Sequence, residues 1–220
     1  MARVSEPGFG VREAVAVAEH AAARGGPVVP PARLVDPGPH ERQGLVVSFW
    51  ERVDSPETAQ ARLVGRRLRE LHETLADCST PLAGFAHPAD ALRRLPRVGE
   101  SRDHELLREA LSLPLGAGQA LHGDAAIVNC IGDGRWIDFD LTAQGPREAD
   151  LATLVLRDRV HARNGESAAA LAAYGPCDLE LVQVCLRVFV ALTCVLLLEQ
   201  TTQTPSKLLA ERLAWLRSSR

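Results

Sequence analysis

Residues 121–152 read LHGDAAIVNCIGDGRWIDFDLTAQGPREADLA. The middle of this stretch predicts a hairpin: residues 127–131 and 135–137 are strand-like, and Asp133-Gly134 supplies a tight turn between them. Pairing those strands brings their outer ends together. Asp124 and Asn129 lie before and on the first strand, and Asp138 leaves the second. Three oxygen-bearing side chains therefore converge, although 14 residues separate Asp124 from Asp138. Hard oxygen donors on a short hairpin suit Mg²⁺, which takes one or two protein ligands and fills its octahedron with water and phosphate. A carboxylate held beside the metal is what phosphoryl transfer needs to orient a hydroxyl and take its proton. The same spacing also fits a plainer reading, in which Asp133 and Asp138 flank a turn and Asn129 caps it.

Outward from this stretch the chain is mostly helical. Residues 11–24 carry Ala14, Val15, Val17, Ala18 and Ala21 on one apolar face, and Gly25-Gly26-Pro27 ends that helix. Pro7-Gly8 marks a turn before it. Residues 45–49 form a short apolar run that reads as a buried strand. Asp54-Ser55-Pro56-Glu57 combines a capping oxygen, a first-turn proline and a carboxylate, predicting a helix from there to about Ala76 with Leu63, Val64, Leu68, Leu71 and Leu75 inward. Arg66, Arg67 and Arg69 on it are interleaved with Glu70 and Glu73, the pattern of a solvated face. A further helix is expected over residues 103–113. After Leu151 the sequence is helical to its end, broken at Asn164-Gly165 and Gly175-Pro176.

Composition narrows the class. The 220 residues are 46% hydrophobic and 24% charged, which fits a globular chain and excludes disorder or a fibrous repeat. A net charge of −3 argues against a general nucleic-acid binder, which needs a basic surplus. The five cysteines (Cys78, Cys130, Cys177, Cys185, Cys194) form no C-x-x-C pair, so reduced thiols in a cytoplasmic protein are expected. The most apolar run, residues 182–198, contains Arg187 and lies between Glu180 and Glu199. At 17 residues it is short for a membrane span and reads as a buried core helix.

His122-Gly123-Asp124 followed by Asn129 matches the kinase catalytic-loop pattern H-x-D-x-x-x-x-N, and Ile137-Asp138-Phe139 stands where kinases carry their metal-binding D-F-G. With Gly123 in the second position, the loop resembles the aminoglycoside phosphotransferase/choline kinase family. Gly145-Pro146 with Asp150-Leu151-Ala152 resembles the stretch that follows the family's metal-binding Asp. Residues 46–53 (VVSFWERV) and the helix ending in Leu68-Arg69-Glu70-Leu71-His72 resemble its interlobe hinge and first C-lobe helix. The resemblance spans roughly residues 11–200.

It implies an α+β, protein kinase-like two-lobed fold. Residues 1–53 would form a truncated N-lobe and hinge, and residues 54–220 a helical C-lobe with the catalytic β-hairpin. It implies an ATP-dependent phosphotransferase acting on a hydroxyl of a small molecule, with ATP and Mg²⁺ and without nucleic acid or membrane. Asp124 would be the catalytic base and His122 a structural member of its loop. Asn129 and Asp138 would hold the metal, and Asp150 would support the loop by hydrogen bonding. The backbone around Ser48 to Trp50 would meet the adenine edge.

The chain also departs from the family pattern. The strands with a phosphate-covering loop have no counterpart here, and the only lysine is Lys207. If residues 2–5 are the strand that normally carries the nucleotide-binding Lys, Arg3 takes its place with Glu13 as helix partner. Arg is permanently charged, but its planar fork is not equivalent to an ammonium. Ala125 to Val128 replace a more polar filling in the loop. An alternative is therefore a catalytically impaired kinase-like domain that binds a ligand or partner, and a third is a helical regulator assembling through residues 182–198.

Overall fold

A computed structural model describes residues 1–5, 10–54, 57–97, 103–162, 165–200 and 206–219. The expected turn at Pro7-Gly8, the Ser55-Pro56 pair and Asn164 lie outside the described residues. Strand β1 (Ala2–Ser5) precedes helix α1 (Val11–Ala23), and β2 (His40–Arg42) and β3 (Leu45–Phe49) complete an antiparallel sheet in the order β1-β3-β2. Arg3 pairs in register with Ser48 on the central strand. The face of α1 legible in the sequence is the face that packs: Ala14, Val15, Val17, Ala18 and Ala21 are all buried. β3 has the expected bounds, but its buried residue is Ser48, while Leu45 is 45% exposed at the strand's start.

Helix α2 (Ala61–Leu75) starts later than expected. Glu57 is not helical, Thr58 bridges Ile131, and the Ala59 N–H donates to the Cys130 carbonyl. The Ala59 N–H is taken up by residues 121–141, the segment that carries the kinase catalytic-loop pattern (the catalytic segment), so the chain stays extended until Gln60. From there Val64, Leu68, Leu71 and Leu75 are buried as the 3.6-residue period requires, and Leu63 is half-buried. Gly65 is needed for packing: a Cβ there would overlap the Ala170 carbonyl, so only glycine lets the later helix cross this closely.

Short helices α3 (Pro88–Arg94) and α4 (His104–Leu111) lead to a two-stranded ribbon of β4 (Gln119–Leu121) and β5 (Ala143–Gly145) that brackets the catalytic segment. Four helices follow: α5 (Glu148–His161), α6 (Ser167–Tyr174), α7 (Leu179–Gln200) and α8 (Lys207–Ser218). Gly175, with φ of 100°, provides the expected break before α7. By length and composition α7 could cross a membrane, yet half of its most apolar window is buried inside the fold. It packs against α3, α4, α5 and α8, with Val182, Leu186, Val190 and Cys194 fully enclosed. That is the expected core helix.

Candidate active site

The catalytic segment differs locally from the predicted hairpin. Residues Ile127–Asn129 form a turn of 3₁₀ helix, and strand pairing shrinks to one bridge between Cys130 and Trp136, closed by a Gly134 N–H to Ile131 carbonyl bond of 2.7 Å. The Asn129 side chain explains the change. Its amide donates to the Asp124 carbonyl at 2.9 Å and to Asp124 Oδ2 at 3.2 Å, drawing residues 127–129 out of extended conformation. The convergence survives by another route. The Ile137 N–H donates to the Asn129 carbonyl at 2.9 Å, which sets Asp138 beside Asn129 and Asp124.

Each element of the loop is fixed from beneath. His122 is fully buried; Nε2 donates to the Ile137 carbonyl at 2.8 Å while Nδ1 faces the Asp124 N–H at 3.3 Å. Its ring lies 4.5 Å from Phe139 and 5.2 Å from Trp136. Histidine here ties the two halves of the segment together. Gly123 has φ of 85°, and a Cβ would overlap the Leu141 carbonyl, so no other residue fits this position.

Asp150, fully buried, accepts from the N–H groups of His122 (2.9 Å) and Gly123 (2.8 Å) and from His72 Nε2 (2.9 Å). His72 Nδ1 in turn meets the Tyr174 hydroxyl at 2.8 Å. Burial opposes ionisation of Asp150, but the His72 contact and the Gly123 N–H hold its carboxyl below the usual range. Thr153 adds a second support, accepting from the Ala125 N–H at 2.9 Å. The sequence pointed to Asp150 as a support of the loop but not to Tyr174 or Thr153, and it placed His72 only as the last residue of the Leu68-Arg69-Glu70-Leu71-His72 stretch, without naming its partners.

Asp124 and Asp138 have distinct settings. Burial pushes the Asp124 carboxyl up, and neighbouring Asp138 adds to that, against the opposing pull of His122 and the Asn129 hydrogen bond. Asp138 sits in left-handed backbone conformation (φ 68°, ψ 62°), unusual for a non-glycine residue and characteristic of functional positions.

Arg3 Nη2 reaches Asp138 Oδ1 at 2.9 Å and Asp140 Oδ2 at 2.6 Å. The expected Arg3–Glu13 pair does not form, because the sheet aims the guanidinium at these two carboxylates. Asp140 was missed in the sequence, although a second acid two residues after Asp138 was its signal.

A cavity of about 400 Å³ opens between β1 and the catalytic segment, lined mainly by apolar groups of Ala2, Val29, Trp50, Ile131 and Ile137, with Arg3 and Asp138 at its edge. Trp50 reaches this cavity but Ser48 does not. Ser48 is buried and accepts from Trp50 Nε1 at 2.9 Å. The main-chain groups of Phe49 and Trp50, where an adenine contact is expected, pair within the chain in this structure. The Phe49 N–H donates to Pro37, its carbonyl accepts from Ala32, and both main-chain groups of Trp50 are engaged by Met1.

Among the described residues no three His, Cys, Asp or Glu side chains gather into a metal cage. The available donors are the Asp138 carboxylate and the Asn129 side-chain oxygen Oδ1, the NH₂ of the same amide being committed to Asp124. This donor set fits a hard cation that draws its remaining ligands from water and phosphate.

Two neighbouring lobes, an H-x-D loop locked by a buried Asp, and a left-handed Asp at a cleft define a kinase-like fold, and solved structures share it. A choline/ethanolamine kinase family protein from Mesorhizobium loti superimposes with a TM-score of 0.71 at 18% identity, over 99% of this chain and 81% of that one. Choline kinase LicA from Streptococcus pneumoniae gives 0.69 at 17% identity, over 99% and 85%. An aminoglycoside phosphotransferase variant, in ternary complex with ADP and hygromycin B, gives 0.69 at 14% identity, over 99% and 84%. At these identities the likeness is one of fold. No curated protein matches the sequence. The model of the phosphotransferase enzyme family matches residues 7–182, and the chain belongs to that family.

Proposed function

We propose that this chain is an ATP-dependent phosphotransferase that moves the γ-phosphoryl group to a hydroxyl of a small molecule. The convergence of Asp124, Asn129 and Asp138, with Asp138 at the edge of an apolar cavity, carries this reading. The cavity suits a purine, and Arg3 and Asp138 stand where its phosphates would emerge. Asn129 and Asp138 would hold Mg²⁺, which when bound neutralises phosphate charge and aligns the γ-phosphoryl group. Asp124 accepts the hydrogen bond of the acceptor hydroxyl and fixes its oxygen in line with the γ-phosphorus. The new O–P bond forms as the bond to the bridging oxygen breaks, ADP leaves, and the hydroxyl proton passes to Asp124. The raised carboxyl of Asp124 favours that last transfer. The five unpaired thiols suit a cytoplasmic setting.

One observation favours a second reading, a kinase-like module that binds without turnover: Arg3 occupies the carboxylate that would hold the metal. Asp124→Ala separates the two. In the transferase reading, ADP release with a competent acceptor falls at least about 100-fold while ATP affinity persists; a fall below about 10-fold contradicts it.

A further inference from the structure

A cavity of about 440 Å³ lies between the first turn of α1 and the hairpin of β2 and β3. Its volume is in the range that takes a small molecule. Val11, Pro39, Leu45 and Val46 supply its apolar wall. Leu45 is the side chain left exposed at the start of β3, and a ligand in this cavity covers it. The Gln43-Gly44 turn closes the hairpin end, with both residues at positive φ (53° and 76°), as a tight two-residue turn requires.

Both walls carry both signs of charge. Helix α1 contributes Arg12 and Glu13, and the hairpin contributes Glu41 and Arg42. Glu41 pairs across the ladder with Val46, so these two side chains leave the sheet on the same side; Arg42 pairs with Leu45 beside the turn. None of the four charged side chains takes part in an ion pair or a side-chain hydrogen bond among the described residues. Two guanidinium groups and two carboxylates therefore stand open on one cavity with an apolar wall. A simple anion is repelled by one pair and a simple cation by the other, whereas a small zwitterion is attracted by both. We propose that this cavity binds a free α-amino acid with an apolar side chain. Arg12 and Arg42 take its carboxylate, Glu41 and Glu13 take its ammonium, and its side chain lies over Leu45 and Val46. Glu13 also borders a cavity beside Gly123 and Asp140, but Arg12, Glu41 and Arg42 do not, so these three mark the site as separate from the catalytic segment. Binding here is independent of phosphoryl transfer, and neither nucleotide nor acceptor is needed to measure it.

The test is titration of the nucleotide-free protein, followed in amide proton–nitrogen correlation spectra, with four probes: L-leucine, isocaproate (the same body without the ammonium), isopentylamine (without the carboxylate) and glycine (without the side chain). Leucine is expected to shift the amides of residues 11–13 and 41–46, with an affinity at least about tenfold above that of each other probe. Glu41→Gln and Arg12→Gln change exposed side chains and should leave the fold intact. Each is expected to weaken leucine binding about threefold, the scale of a solvent-exposed ion pair. Glu41→Gln does not weaken isocaproate, and Arg12→Gln does not weaken isopentylamine. No shift with leucine, shifts confined to residues outside this cavity, equal affinity for leucine and any other probe, or variants that bind leucine as the parent chain does would each overturn the proposal.

Discussion

Arg3 Nη2 sits 2.9 Å from Asp138 Oδ1, placing the first strand's only cation on the carboxylate that heads the second half of the catalytic segment. The same nitrogen also meets Asp140. A divalent cation that takes Asp138 Oδ1 competes with Arg3, and the phosphates of a nucleotide offer the guanidinium a new partner. Arg3→Gln is expected to tighten Mn²⁺ binding to the nucleotide-free chain by about threefold, the scale of a solvent-screened ion pair. It is expected to weaken ATP binding by about tenfold, the scale of a charged hydrogen bond. Mn²⁺ paramagnetic titration and ATP calorimetry read the two effects. Unchanged Mn²⁺ affinity would mean that Arg3 does not compete for Asp138.

Asp150 holds the loop through His122, Gly123 and His72, so its loss leaves two buried N–H groups and an imidazole without their acceptor. Asp150→Asn is expected to cost about 3 kcal/mol of stability at pH 7. Because the folded carboxyl titrates below its unfolded value, its contribution is complete above the unfolded pKa and is lost as pH falls through the folded one. Urea denaturation of both proteins between pH 7 and pH ~3 should show the gap narrowing below about pH 4. A constant gap would mean that the charge of Asp150 is not what stabilises the loop.

Gly123→Ala forces a left-handed alanine whose Cβ overlaps the Leu141 carbonyl. The expected cost is about 3 kcal/mol or more, because backbone rather than a side chain must yield. Chemical denaturation measures it, and a loss under about 1 kcal/mol would show that the segment around Leu141 can move aside.

Burial pushes the thiols of Cys130, Cys185 and Cys194 up to about 12. These three should resist alkylation by iodoacetamide at pH 8 in the native protein and react on unfolding. Cys78 and Cys177, only half-buried, should react first. Rapid native modification of Cys194 would contradict the enclosed position of α7.

Much of this arrangement was legible before the structure. The period of α1 named its buried face residue by residue, and the expected return of the chain at Asp133-Gly134 brought Asp124, Asn129 and Asp138 together. What could not be read was set by contacts distant in sequence. The start of α2 moved because Ala59 bonds to Cys130, and the hairpin shortened because Asn129 turns back to Asp124. Arg3 was assigned to Glu13 by pattern, yet strand register aims it at Asp138 and Asp140. His72 closes a family-like helix stretch, but its partner Asp150 lies 78 positions later and is not legible from that stretch.

The central claim is that Asp138 at the mouth of the apolar cavity belongs to a working nucleotide site. Calorimetric titration of ATP into the 220-residue chain, with and without Mg²⁺ and alongside Asp138→Asn, tests it most directly. The account predicts binding that requires Mg²⁺ and falls at least about tenfold in the variant. Absence of binding in a folded sample, or binding indifferent to both Mg²⁺ and Asp138, would contradict it.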